Sequence, residues 1–123
     1  ILDIVYNLYK IMDSKIREAQ KKILGVFAKS AKSFALSRGT ALELYYLHYR
    51  FSAGLDFFSP KYNISEIEKL VSIFKKVIGT NMNLEEELSV EGKAKVRFYI
   101  APVRGTKRPL KIDFVSNLFS PRT

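Results

Sequence analysis

The chain has 123 residues, 47% hydrophobic and 13% aromatic, enough apolar material for one buried core, which excludes disordered and fibrous classes. It contains no cysteine, so neither a disulfide framework nor a thiolate zinc site can form, and a reducing, cytoplasmic setting is expected. Lysine and arginine total 21 against 12 acids, a net charge of +9 that fits either a soluble basic surface or a polyanionic partner such as nucleotide, RNA or DNA.

No apolar run reaches the roughly 20 residues needed to span a bilayer. The first residues are interrupted by Asp3, Asn7, Lys10 and Asp13, unlike a signal peptide, and no membrane partner is expected. The sequence opens at Ile1 and stops at Ser120-Pro121-Arg122-Thr123, which reads as an engineered piece, a processed product or a fragment of a longer protein. Residues 1–123 are read as a single domain with an N-terminal helical segment over 1–30.

In that first segment Ile4, Leu8, Met12, Ile16, Ala19, Ile23 and Phe27 recur at three- and four-residue spacing, predicting a helix in one or two pieces. Lys10, Lys15, Arg17, Lys21 and Lys22 fall largely off the stripe, so the apolar face is expected to pack on the rest of the domain. Phe34-Ala35-Leu36 reads as a short strand, Ser37-Arg38-Gly39-Thr40 as a turn and 41–49 as a short helix. A strand over 55–58 follows, stopped by Ser59-Pro60.

Helix 65–78 is expected to start with a capping box of Ser65 and Glu68 and to end at Gly79. Its apolar face carries Ile67, Leu70, Val71, Phe74, Val77 and Ile78. The period then becomes two: Ala94, Val96, Phe98 and Ile100 alternate with Lys93, Lys95, Arg97 and Tyr99, predicting a half-buried strand over 93–100. Glu91-Gly92 predicts a hairpin turn back to 88–90, and Leu110, Ile112 and Phe114 mark a last strand.

Two of the four aspartates, Asp56 and Asp113, fall inside predicted strands, where aspartate is disfavoured. Each is flanked by two apolar residues and so projects from the opposite face, where a carboxylate calls for a cation, a metal, solvent or a backbone or lysine partner. The turn Ser37-Arg38-Gly39-Thr40 joins a strand to a helix, a place where backbone N–H groups can hold a phosphate, although such residues also make ordinary turns and caps. His48 has no second histidine or cysteine to share a metal and reads as a helix-surface residue. Tyr45, Tyr46 and Tyr49 read as packing residues. The densest basic cluster is Arg104-Gly105-Thr106-Lys107-Arg108 with Lys111 beyond it, either a solvated loop or a phosphate contact.

In combination, these blocks resemble the AbiEii-type (abortive infection) branch of the nucleotidyltransferase superfamily. The family pattern is approximately Gly-Gly-Thr-Ala-Leu followed by Arg-x-Ser-x-Asp-Leu/Ile-Asp-Phe/Leu. Gly39-Thr40-Ala41-Leu42 and Arg50-Phe51-Ser52-Ala53-Gly54-Leu55-Asp56-Phe57-Phe58 align with it without gaps, and Lys111-Ile112-Asp113-Phe114 forms a weaker third block. The resemblance implies an α+β, nucleotidyltransferase-type core in which a small mixed β-sheet is flanked by helices. It implies metal-assisted transfer of a nucleotide from a nucleoside triphosphate to a hydroxyl of RNA, including tRNA, or of a protein, within a toxin–antitoxin or phage-defence system. Asp56 and Asp113 would hold magnesium and act in catalysis; Ser37, Arg38, Gly39 and Thr40 would hold the triphosphate, with Arg50 and Ser52 bracing the strand or touching phosphate. A cognate antitoxin is the implied protein partner, and the family's C-terminal helical region is expected to be missing or to lie beyond this sequence.

Two positions depart from the pattern. Gly54 stands where the first aspartate is expected, and Arg38 where the first glycine is expected. The first removes a metal ligand and the second puts a cationic side chain in the phosphate turn, so impaired catalysis is expected. The rival readings are a catalytically inactive relative that binds nucleotide, RNA or protein, and an unrelated basic nucleic-acid-binding domain.

Overall fold

The computed structural model describes residues 2–36, 54–90 and 94–116. Within them α1 (Leu2–Ser30) leads to β1 (Ala35–Leu36), followed by β2 (Gly54–Ser59), α2 (Ile64–Ile78), β3 (Asn83–Val90), β4 (Ala94–Ala101) and β5 (Leu110–Ser116). The predicted turn at 37–40, the helix at 41–49 and the Glu91-Gly92 turn lie outside the described residues. So do His48 and the tyrosines at 45, 46 and 49.

The strands form one mixed sheet in the order β1-β2-β5-β4-β3. β1 is antiparallel to β2, β2 parallel to β5, and β5-β4-β3 antiparallel throughout. α1 and α2 pack on one face. Ile16, Ala19, Ile23 and Phe27 from α1 and Ile67, Leu70, Val71 and Phe74 from α2 meet Leu55, Phe57, Leu110, Ile112 and Phe114 from the two middle strands. Phe57 sits at the centre, stacked on Phe27 at 4.2 Å between ring centroids, with Phe114 at 5.6 Å and Phe74 at 5.9 Å. Burying rings of this size supplies much of the driving force for folding.

α1 is a single continuous helix, and the stripe expected from its sequence is buried at Ile16, Ala19, Ile23 and Phe27. α2 starts earlier than its capping box suggested. The cap is Asn63, whose side-chain oxygen accepts the Glu66 N–H at 3.1 Å, and not Ser65. Asn63 and Ser65 each precede a glutamate by three residues, and the earlier start adds the Ile67 N–H to Asn63 carbonyl bond. Gly79 closes the helix as expected, at φ 73°, with its N–H on the Lys75 carbonyl.

β4 divides its faces differently from its sequence alternation. Tyr99 and Ala101 join the helix-covered core, with Arg97 on the same side bonded to Glu87 of β3 and to the Tyr99 hydroxyl. Val96, Phe98 and Ile100 turn to the other face, in register with Val115, Asp113 and Lys111 of β5. Tyr62, between β2 and α2, is buried with φ 44°, and its hydroxyl has no hydrogen-bond partner among the described residues.

Candidate functional site

The alternation of β2 and β5 fixes the direction of both aspartates. Leu55, Phe57, Ile112 and Phe114 are fully buried beneath the helices, so Asp56 and Asp113 lie on the opposite face. The parallel register sets them directly beside one another: Gly54 pairs with Lys111, Leu55 with Ile112, Asp56 with Asp113, and Phe57 with Phe114. Adjacent strands are about 4.8 Å apart, so the two carboxyl groups share one small volume. Asp56 is exposed and Asp113 half-buried.

Burial raises the Asp113 pKa, and the neighbouring Asp56 raises it further through its charge and by sharing the proton. Lys111 opposes both, and the Asp113 carboxyl is pushed up from 3.8 to about 7. Two carboxylates held together retain a proton because they cannot both be anionic at low cost. A divalent cation would relieve the same repulsion, and paired carboxylate oxygens are the hard donors that magnesium takes together with substrate phosphates. The residues therefore fit such a cation, with two protein carboxylates as its ligands. No group of three or more His, Cys, Asp or Glu gathers among the described residues.

Beside Asp113 a depression of about 360 Å³ is lined by Lys111, Phe98 and Ile100 and by Glu85 and Glu86 of β3. Of the residues expected to form the site, the structure thus brings Asp56 and Asp113 together. Ser37, Arg38, Gly39, Thr40, Arg50 and Ser52 lie outside the described residues. β1, which precedes them, ends at Leu36 paired with Phe57, one residue from Asp56.

A polar knot holds that approach in place. The Glu66 carboxylate accepts the Lys32 N–H at 2.7 Å, the Ser33 N–H at 3.0 Å and the Ser33 hydroxyl. The buried Ser59 hydroxyl donates to Ser33 Oγ at 3.1 Å and accepts the Lys61 N–H at 3.2 Å. The exit of α1, the first turn of α2 and the end of β2 are thereby joined. Burial works to raise the Glu66 pKa, but the hydrogen bonds from Ser33 and from the 32–34 backbone outweigh it and lower the value. Sequence reading missed Glu66 because its partners lie far away in the chain. The one available signal was a charged residue in the first turn of a helix otherwise explained by Asn63.

A mixed sheet backed by helices, with a carboxylate pair on adjacent strands of its other face, is an α+β core of the nucleotidyltransferase type. The sequence profile described as "Nucleotidyl transferase AbiEii toxin, Type IV TA system" matches residues 22–121, and the chain belongs to that family. Among solved structures it is similar to JHP933 from Helicobacter pylori, with a TM-score of 0.54 and 17% identity over 90% of this chain and 46% of that chain. A proposed nucleotidyltransferase from H. pylori gives a TM-score of 0.49 and 19% identity over the same shares. At such identities the likeness concerns the fold alone, and the chain spans about half the length of these structures. No curated protein matches the sequence significantly.

Proposed function

We propose that this chain is the nucleotidyltransferase domain of a toxin from a toxin–antitoxin or phage-defence system, acting in the cytoplasm. It transfers a nucleotide from a nucleoside triphosphate to a hydroxyl of RNA, such as tRNA, or of a protein. The observation that carries the reading is the register of Asp56 with Asp113 on the face away from the helices. Asp56 and Asp113 would hold magnesium, which when bound neutralises phosphate charge and orients the reacting phosphorus. Asp113 would also help activate the attacking hydroxyl by accepting its proton on a carboxylate oxygen. Ser37 to Thr40 would hold phosphates, while Arg50 and Ser52 would brace β2 or touch phosphate. A cognate antitoxin and a further helical region of the whole protein complete the proposal.

Gly54 and Arg38 reduce activity in this reading. A second reading, a relative that binds nucleotide, RNA or protein without catalysis, is favoured specifically by Gly54, which leaves two carboxylates where the family pattern has three. The test is incubation with each labelled nucleoside triphosphate, magnesium and total RNA or protein, alongside the Gly54→Asp/Arg38→Gly variant. Label transfer that rises in the variant and disappears in Asp56→Asn supports the enzyme. Nucleotide binding without transfer in either protein supports the binding module, and no binding at all refutes both.

A further inference from the structure

We propose that Lys111 is a phosphate-binding residue of this site, its ammonium holding the anionic part of a nucleotide where Gly54 leaves no carboxylate. This rests on the reading that the Asp56–Asp113 face takes a nucleotide. Lys111 and Gly54 are register partners in the parallel β2–β5 pairing, and both lie on the face of the aspartate pair, two residues along each strand from it. An aspartate at position 54, as in the family pattern, would stand beside the Lys111 side chain and draw off its charge. With glycine there, that carboxylate is missing.

Three further observations place the phosphate at Lys111. The residue is exposed, and among the described residues no carboxylate lies within salt-bridge distance of its ammonium. Its charge reaches the carboxylate pair, since it opposes the rise in the Asp113 pKa. It also lines the depression of about 360 Å³ beside Asp113, a volume within the roughly 300–1,000 Å³ usual for small-molecule sites.

The lining is asymmetric. Lys111 is its cation, Phe98 and Ile100 on β4 supply apolar surface, and Glu85 and Glu86 lie on β3, beyond β4. Glu85 and Glu86 on the β3 side and Asp113, which also lines the depression, repel an anionic ligand, so among the lining residues Lys111 is the group that can hold it. The chain thus places one fixed protein cation beside a carboxylate pair, so that part of the phosphate charge is neutralised without metal.

The test is titration calorimetry of the whole chain with inorganic tripolyphosphate, the four nucleoside triphosphates and the matching nucleosides, in EDTA and in magnesium. Lys111→Met is compared with Lys111→Arg, and circular dichroism checks that both variants fold. The expected result is measurable triphosphate binding in EDTA that Lys111→Met weakens by roughly tenfold or more and Lys111→Arg largely retains, with nucleoside binding unchanged. Equal triphosphate affinity of the parent and Lys111→Met overturns the role of Lys111 and leaves the nucleotide reading standing. Absence of triphosphate binding by the parent in both buffers overturns both.

Discussion

Asp56 and Asp113 are register partners on adjacent parallel strands, and Asp113 keeps its proton up to about pH 7. Its ordinary value is 3.8, so between pH 4 and 7 the folded chain binds a proton that the unfolded chain has released. This contribution to stability is complete below about pH 4 and is lost as the pH rises through 7. Urea unfolding at pH 4.5, 6 and 8 is expected to show Asp113→Asn losing that downward slope and exceeding the parent in stability at pH 8. A parent and variant with parallel profiles would contradict the shared proton.

A cation held by the pair, as proposed, would compete with that proton for the same oxygens. Magnesium should raise the melting temperature more at pH 8 than at pH 5.5, because at the lower pH the proton must be displaced first. Asp56→Asn and Asp113→Asn should each abolish the increase. Thermal melts with and without millimolar magnesium check this, and a pH-independent increase that survives both substitutions would assign the effect elsewhere.

Glu66 has the opposite pH signature. Its pKa is lowered in the folded chain, so its stabilisation is present above the ordinary carboxylate value and is lost as the pH falls through the lowered one. Glu66→Ala leaves the Lys32 and Ser33 N–H groups and the Ser33 hydroxyl without their acceptor, at a cost of about 1–3 kcal/mol at neutral pH. Hydrogen exchange of the Lys32 and Ser33 amides should quicken in the variant. Unchanged exchange at both would show that the knot does not hold this junction.

Tyr62 buries a hydroxyl with no hydrogen-bond partner among the described residues, and the same burial pushes its pKa up to about 12. Tyr62→Phe removes the unsatisfied group and keeps the ring that meets Phe34 edge-on. Stability is therefore expected to be unchanged or higher by up to about 1 kcal/mol, measured by chemical denaturation. A loss of that size would mean the hydroxyl has a partner in solution.

The elements readable in the sequence were those with one clear period. Leu110, Ile112 and Phe114 alternate cleanly and are all fully buried, and the same rule placed Asp56 and Asp113 on the other face before any register was known. The register itself was not readable, because nothing local says which strand lies beside β2. β4 misled for a different reason: both of its faces carry large residues, and Arg97 reaches the core side only because Glu87 and the Tyr99 hydroxyl receive it. At the start of α2 the sequence reading chose Ser65, and the cap is Asn63, two residues earlier. The bonds from Glu66 to Lys32 and Ser33, a tertiary arrangement, were invisible to local pattern.

β5, the last of the described strands in chain order, occupies the middle of the sheet. During synthesis, β1 and β2 would leave the ribosome on one side of a gap, and β3 and β4 would follow on the other. Neither pair can join until residues up to Ser116 have emerged to fill it. Because Asp113 travels on that strand, the carboxylate pair does not exist in any shorter nascent chain. The order of translation therefore delays assembly of the site until the sheet can close, and a cell making this chain would carry no partly built version of it.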